Sequence, residues 1–323
     1  MANRLPIFAS NPRQLKQPTK ALHLIRNIET PTEEIPTSSR SDIEKAYEAC
    51  KRLSRSHYEN FPVGSLFTPK EYRPFIHSIY AFARGADDLA DEGAGLPEER
   101  LRNLEHWQSL LDECFSGRAT HPTFIALSET VRCLGLPKKP FDDLLVAFRM
   151  DVTTRRFRTF EDLLFYCRHS ANPIGQLVLH VFGSATSQTL SCSDQLCTAL
   201  QLANFWQDVS VDLLKGRIYL PLEDFDRFGY TEAQLLKRAD DQHFRRLIEF
   251  QLDRTRQMFN LAKPILTSVT PTLRFELALT WNGGMTILKK IEQARYGVLS
   301  RRPVITSTDK LRILWHSLLR GPS

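Results

Sequence analysis

The sequence predicts an all-α protein, and three observations carry that expectation. Only 14 glycines fall among 323 residues. Runs that alternate apolar and polar residues are scarce, whereas apolar residues recur at intervals of three and four over long stretches, the period of a helix with one buried face. With 42% hydrophobic and 25% charged residues, the chain is too apolar for disorder and long enough to bury a core. Residues 1–40 stand apart: they are rich in Pro, Thr and Ser, lack periodicity, and read as an irregular basic N-terminal arm. The ordered fold, 41–323, is expected to begin at Ser41.

Helix starts are signposted. Ser41 with Glu44, Thr68-Pro69 with Glu71, and Thr231 with Gln234 each place a capping side chain three residues before a carboxylate or amide. The apolar period then predicts helices over 97–116, 121–134, 140–156, 160–184, 193–214, 241–266, 271–296 and 307–320. In the last of these, Leu311, Leu314, Trp315 and Leu318 share one face. That face reads first as a helix closing over the core and second as one resting on a membrane surface.

No apolar run approaches the roughly 20 residues that a membrane span needs. The first residues lack the apolar stretch of a secretory signal, and two early prolines argue against an amphipathic transit helix. Cys50, Cys114, Cys133, Cys167, Cys192 and Cys197 form no CxxC and have no His at zinc-ligand spacing. They read as reduced, structural thiols of a cytoplasmic protein.

Two acidic stretches carry the chemistry. In Ile79-Tyr-Ala-Phe-Ala-Arg-Gly-Ala-Asp-Asp-Leu-Ala-Asp-Glu92, the residues Tyr80, Arg84, Asp87 and Asp91 are spaced four, three and four apart and stack on one helical stripe. Like charges one turn apart destabilise a helix, so a cation joining them is one account. A solvated helix end, with Asp88, Glu92 and Gly93 following, is the other. The second stretch places Gln201, Asn204, Asp208 and Asp212 three, four and four apart, with Leu202, Phe205 and Val209 on a different face. A solvated outer face would normally carry Lys, Glu and Arg. Short oxygen-bearing side chains instead suit a cation held close to the backbone.

Two helices that each offer aligned carboxylates could hold hard divalent ions between them. Mg²⁺ prefers oxygen ligands and is commonly completed by substrate phosphates, which predicts a diphosphate substrate. A di-iron carboxylate bundle is disfavoured because no Glu-x-x-His pair occurs. There is likewise no P-loop, GxGxxG or HExxH.

Asp87-Asp-Leu-Ala-Asp91 together with Asn204-Phe-Trp-Gln-Asp208-Val-Ser-Val-Asp212 and the trailing Gly-Arg-Ile-Tyr-Leu-Pro221 resembles the squalene/phytoene synthase family. The resemblance runs from about His57 to Pro303 and takes in Tyr166-Cys and Gly175. It implies a single-domain isoprenoid synthase fold, a helical bundle around a central apolar cavity with two facing Asp-rich helices. It also implies that Asp87, Asp91, Asn204, Asp208 and Asp212 hold Mg²⁺ and diphosphate. By the same resemblance Arg84, Arg217, Tyr219 and His57 meet diphosphate oxygens, and Tyr80, Tyr166, Phe61 and Gln201 line the reacting centre. Aromatic faces can stabilise a carbocation, although core packing accounts for any one of them equally well.

An Arg commonly precedes the first Asp of the second motif in the coupling enzymes of this family, and here Gln207 stands there. With His121-Pro-Thr-Phe, Pro140-Phe-Asp-Asp and Ser170-Ala-Asn-Pro, the sequence is most similar to the hopanoid-pathway branch. That similarity implies conversion of presqualene diphosphate and water to hydroxysqualene and diphosphate. The alternatives are a head-to-head squalene or phytoene synthase acting on two prenyl diphosphates, and a non-catalytic pathway scaffold.

The net charge of +6 is unevenly spread. Residues 1–28 hold five basic residues and no acidic one, residues 295–323 hold six basic and one acidic, and the stretch between is net negative. Basic flanks predict peripheral contact with the inner face of an anionic membrane, alongside contact with other squalene-pathway enzymes. The absence of a dense basic run gives no support to nucleic-acid binding.

Overall fold

The computed structural model describes residues 38–56, 68–91 and 96–319. Among them the regular structure is helical, with one isolated bridge between Arg156 and Ile218. Most of the proposed arm, together with His57, Phe61, Glu92 and Gly93, lies outside the described residues. The chain divides into two compact units, within 1–138 and within 139–323.

The first unit contains α1 (Arg40–Ser56), α2 (Arg73–Asp91), α3 (Pro97–Phe115) and α4 (Pro122–Leu134). Helix α2 packs on the other three and buries Phe75, Ile76, Ile79, Tyr80 and Phe82. At Gly85 an added Cβ would meet the Trp107 ring at 2.5 Å, so α2 and α3 approach more closely than alanine would permit. Thr130 ties three helices together through Ser78, at 2.7 Å, and Tyr47, at 3.0 Å.

Two helix starts differ from expectation. Ser39, not Ser41, caps α1, its Oγ accepting from the Asp42 amide at 3.2 Å. Helix α2 begins at Arg73, because Pro74 has no amide hydrogen and is tolerated only in a first turn. Thr68-Pro69 therefore opens a turn in which the Tyr72 amide bonds the Pro69 carbonyl.

The second unit contains α5 (Lys139–Thr153), α6 (Phe160–Ser170), α7 (Asn172–Val181), α8 (Ser187–Leu214), α9 (Leu222–Phe228) and α10 (Glu232–Leu236). These are followed by α11 (Gln242–Ala262), α12 (Ile265–Ser268), α13 (Pro271–Gln293) and α14 (Ser307–Leu319). Helix α8 is the centre, packed against α6, α7, α11, α12 and α13. The Trp206 indole donates to Thr255 at 2.8 Å and pins α8 to α11. Gly175 lets α7 close on α8: a Cβ there would lie 2.4 Å from Ser193 Oγ and 2.5 Å from Cys197 Sγ.

Prolines account for two of the boundary differences here. The helix expected over 160–184 is two, interrupted at Ala171 because Pro173 cannot continue the hydrogen-bond ladder. Pro264 similarly ends α11 early. Helix α8 starts at Ser187 rather than 193, with Thr186 and Thr189 exchanging backbone and side-chain bonds. Thr231 caps α10 as expected, accepting from the Gln234 amide at 3.2 Å.

The expectation that Leu311, Trp315 and Leu318 close over the core is corrected. They are 67%, 65% and 62% exposed, whereas Ile313 is buried. The rotation of α14 is fixed by polar bonds to α13, from Asn282 to Ser317 at 2.9 Å and between Lys290 and Asp309 at 2.7 Å. No described helix is long and apolar enough to cross a membrane. The six cysteines are free thiols, and burial pushes Cys50 up to about 11 and Cys114 to about 12, which makes them poor nucleophiles.

Candidate functional site

In the first unit the acidic motif occupies the last turns of α2. Arg84 is buried, and its guanidinium pairs with Asp87 at 3.2 Å and also with Asp88. Asp88, which in the sequence reads as part of a solvated helix end, therefore shares the arginine with the motif. Tyr80 lies one turn earlier on the same stripe and is buried. Burial pushes its hydroxyl above the ordinary tyrosine range, which keeps it protonated. Asp91 is half-buried at the helix end.

In the second unit the stripe on α8 is buried rather than solvated: Asn204, Asp208 and Asp212 are 8%, 7% and 4% exposed, and Gln201 is half-buried one turn earlier. A buried pair of aspartates one turn apart is electrostatically costly. Burial foremost, and then the neighbouring Asp208, raise the Asp212 carboxyl to about 7. The Oδ1 atom of Asn204 is buried without a hydrogen-bond partner.

One cation already serves this stripe. Arg302 reaches Asp208 from the segment before α14, with Nη2 at 3.1 Å from Oδ2 and a second contact from Nε to Oδ1. Gln207 holds that segment in place by donating from Nε2 to the Pro303 carbonyl at 2.6 Å. Its own amide oxygen is buried and unbonded.

Past the end of α8 the chain turns back on itself. The Arg217 amide bonds the Asp212 carbonyl at 3.0 Å, and the Ile218 amide bonds the Arg155 carbonyl at 3.0 Å. This turn seats Tyr219 flat on Phe205, with ring centroids 3.8 Å apart and planes within 8°. Phe157 and Tyr166 complete the aromatic group, each within about 6 Å of Tyr219. Tyr166 is wholly buried and donates to Asp151 at 2.9 Å, and burial, then Asp151, hold its proton on. The Arg217 side chain reaches the Asp151 carbonyl at 3.5 Å. A shallow cleft brings Asp212, Arg217 and Tyr219 onto one concave surface.

Among the described residues no three His, Cys, Asp or Glu side chains converge as a ready-made metal cluster. Two features nevertheless fit a hard cation on α8. An amide oxygen lies buried and unbonded, and an aspartate is driven toward protonation by its burial and then by its neighbour. Arg302, Asp151 and Phe157 do not stand out in the sequence. The only local signal for Arg302 is its place before Pro303, which favours an extended backbone but names no partner.

A family model described as squalene/phytoene synthase matches residues 54–309. The chain is 32% identical over 300 residues to a phytoene synthase of Arthrospira platensis, covering 88% of this chain and 95% of that protein. It is also 32% identical over 296 residues to a 15-cis-phytoene synthase of Synechocystis sp., covering 87% of each. The crystal structure of squalene synthase HpnC from Alicyclobacillus acidocaldarius superposes with a TM-score of 0.76 at 41% identity, over 80% of this chain and 97% of that one. A dehydrosqualene synthase in complex with ligand has the same TM-score of 0.76 at 23% identity, over 86% of this chain and 97% of the other, a likeness of fold.

Proposed function

The chain belongs to the squalene/phytoene synthase family of head-to-head isoprenoid synthases, and on that premise we propose that it ionises presqualene diphosphate and quenches the rearranged cation with water. The carbon–oxygen bond to diphosphate breaks heterolytically, the carbon skeleton rearranges, and a water oxygen bonds to the cation. Its proton leaves with the released diphosphate, and hydroxysqualene is the product.

The observation that carries this choice is Gln207. It stands where coupling enzymes commonly place an arginine, and its amide is committed to the Pro303 carbonyl. The position thus offers no charge to a second diphosphate.

Asp87 and Asp91 on α2, and Asn204, Asp208 and Asp212 on α8, would be the holders of Mg²⁺ and diphosphate. Bound there, Mg²⁺ would supply positive charge to the departing diphosphate. Arg84 and Arg217, both buried, would bind its oxygens with guanidinium groups already oriented by Asp87 and by the Asp151 carbonyl. Tyr80 and Tyr166 would present aromatic faces to the cation, and their retained protons make them poor bases toward it, while Tyr219 would meet a diphosphate oxygen.

A second reaction class has its own support. Arg302 brings a guanidinium to Asp208, partly replacing the charge that Gln207 lacks, and the relatives carry names of squalene and phytoene synthases. Under that alternative two prenyl diphosphates are joined by a transferase. Purified protein with Mg²⁺ should convert presqualene diphosphate to hydroxysqualene. Efficient conversion of farnesyl or geranylgeranyl diphosphate alone to presqualene diphosphate, squalene or phytoene would overturn the proposal in favour of the alternative. We further propose a cytoplasmic protein that exchanges apolar intermediates with other squalene-pathway enzymes.

A further inference from the structure

We propose that α14 is a lipid-docking helix that seats the protein on an anionic bilayer surface. Leu311, Trp315 and Leu318 are spaced four and three apart and form one exposed apolar stripe. Ile313 lies on the opposite side and is 2% exposed, so the helix is held by one face while the other points to solvent.

Lys310 and Arg312 adjoin Leu311 in sequence. At about 100° per residue they stand on either flank of the stripe. Long basic side chains at the flanks can reach lipid phosphates while Leu and Trp enter the headgroup–acyl boundary. Asp309, the acidic residue of α14, is turned to Lys290 and to Thr306, so it does not offset the charge of the outer face. Arg301 and Val304, both exposed, continue the basic and apolar character onto the segment before the helix.

Charge selects the occupant. A second copy would set one basic helix face against another. Residues 1–28 carry five basic side chains and no acidic one, so they too would bring like charge to α14. An anionic bilayer complements both the stripe and its flanks. This inference is independent of which diphosphate the enzyme consumes.

Trp315 is a built-in reporter, since Trp107, Trp206 and Trp281, the other three of four, are 8%, 0% and 1% exposed. With the full-length chain, vesicles of phosphatidylglycerol and phosphatidylcholine should sediment the protein, shift its tryptophan emission to the blue and shield it from acrylamide. Phosphatidylcholine vesicles alone should do so much less. Leu311→Ser/Leu318→Ser, which keeps Trp315, should weaken vesicle binding by at least about tenfold with an unchanged melting temperature. Lys310→Gln/Arg312→Gln should weaken it and reduce its salt sensitivity.

Unaltered Trp315 emission in wild type with anionic vesicles would overturn the proposal, as would undiminished sedimentation of the Leu311→Ser/Leu318→Ser variant. So would shielding of Trp315 before vesicles are added, if it is lost on dilution or on deleting residues 1–28. Those two results would assign the face to a second copy or to the N-terminal segment.

Discussion

The guanidinium of Arg302 grips both carboxylate oxygens of Asp208, 94 residues earlier in the chain. The pair neutralises one of two buried aspartates on α8 from outside that helix. In protein stripped of divalent ions, Arg302→Ala should therefore leave Asp208 buried and unpaired, at a cost of about 1–3 kcal/mol; partial exposure of the arginine keeps the figure below that of a fully buried pair. Arg302→Lys should fall between, because it keeps the charge and loses the two-pronged contact. Urea unfolding with and without Mg²⁺ checks this, the deficit shrinking when Mg²⁺ is present.

Asp212 predicts a pH dependence. Its folded-state carboxyl is raised from the ordinary 3.8 to about 7, so between these values the folded protein binds more protons than the unfolded chain. Stability of the metal-free protein should fall as pH rises from about 4 to about 7, by no more than roughly 4 kcal/mol. Over the same range Mg²⁺ must displace a proton, so its affinity should rise with pH. Asp212→Asn should flatten the stability profile. Denaturant titrations at pH 4.5, 6 and 7.5 read both slopes, and an unchanged profile in the variant would contradict the assignment.

Activity discriminates an enzyme from a scaffold. Asp87→Ala and Asp208→Ala should each lower kcat by at least roughly a hundredfold at saturating substrate, since each removes a proposed holder of the charge that meets the leaving group. A scaffold would support hydroxysqualene formation in a reconstituted pathway equally well with either variant.

Gly175→Ala tests the closeness of α7 and α8. The added methyl would lie 2.4 Å from Ser193 Oγ and 2.5 Å from Cys197 Sγ, and overpacking of this kind costs about 1–3 kcal/mol. Combining it with Ser193→Ala and Cys197→Ala should recover part of the loss. Thermal denaturation of the four proteins measures the coupling.

Much of the fold and site is legible in the sequence where periodicity governs. The all-α class, the stripe Tyr80–Arg84–Asp87–Asp91 and the stripe Gln201–Asn204–Asp208–Asp212 all follow from helical spacing. Proline chemistry outweighs periodicity at Pro74, Pro173 and Pro264, where a missing amide hydrogen moves or breaks a helix that the apolar pattern would have continued. Contacts distant in sequence leave no trace. Neither the Arg302–Asp208 pair nor the Phe157–Tyr219 stack has a local pattern. The rotation of α14 escapes the sequence for a related reason. Leu311, Trp315 and Leu318 look like a core face until Asn282 and Lys290 on another helix fix which side turns inward.

The long reach of Arg302 bears on how the chain is made. During synthesis α8 is complete at Leu214 well before its arginine exists, since Asp208 precedes Arg302 by 94 residues. The nascent chain must then either leave Asp208 hydrated, with α8 undocked, or bury its carboxylate without the charge that pairs with it. Full neutralisation of the α8 stripe is thus deferred until Arg302 has emerged, and a nascent chain that ends before it should seat its central helix less firmly, by about the margin that Arg302→Ala costs.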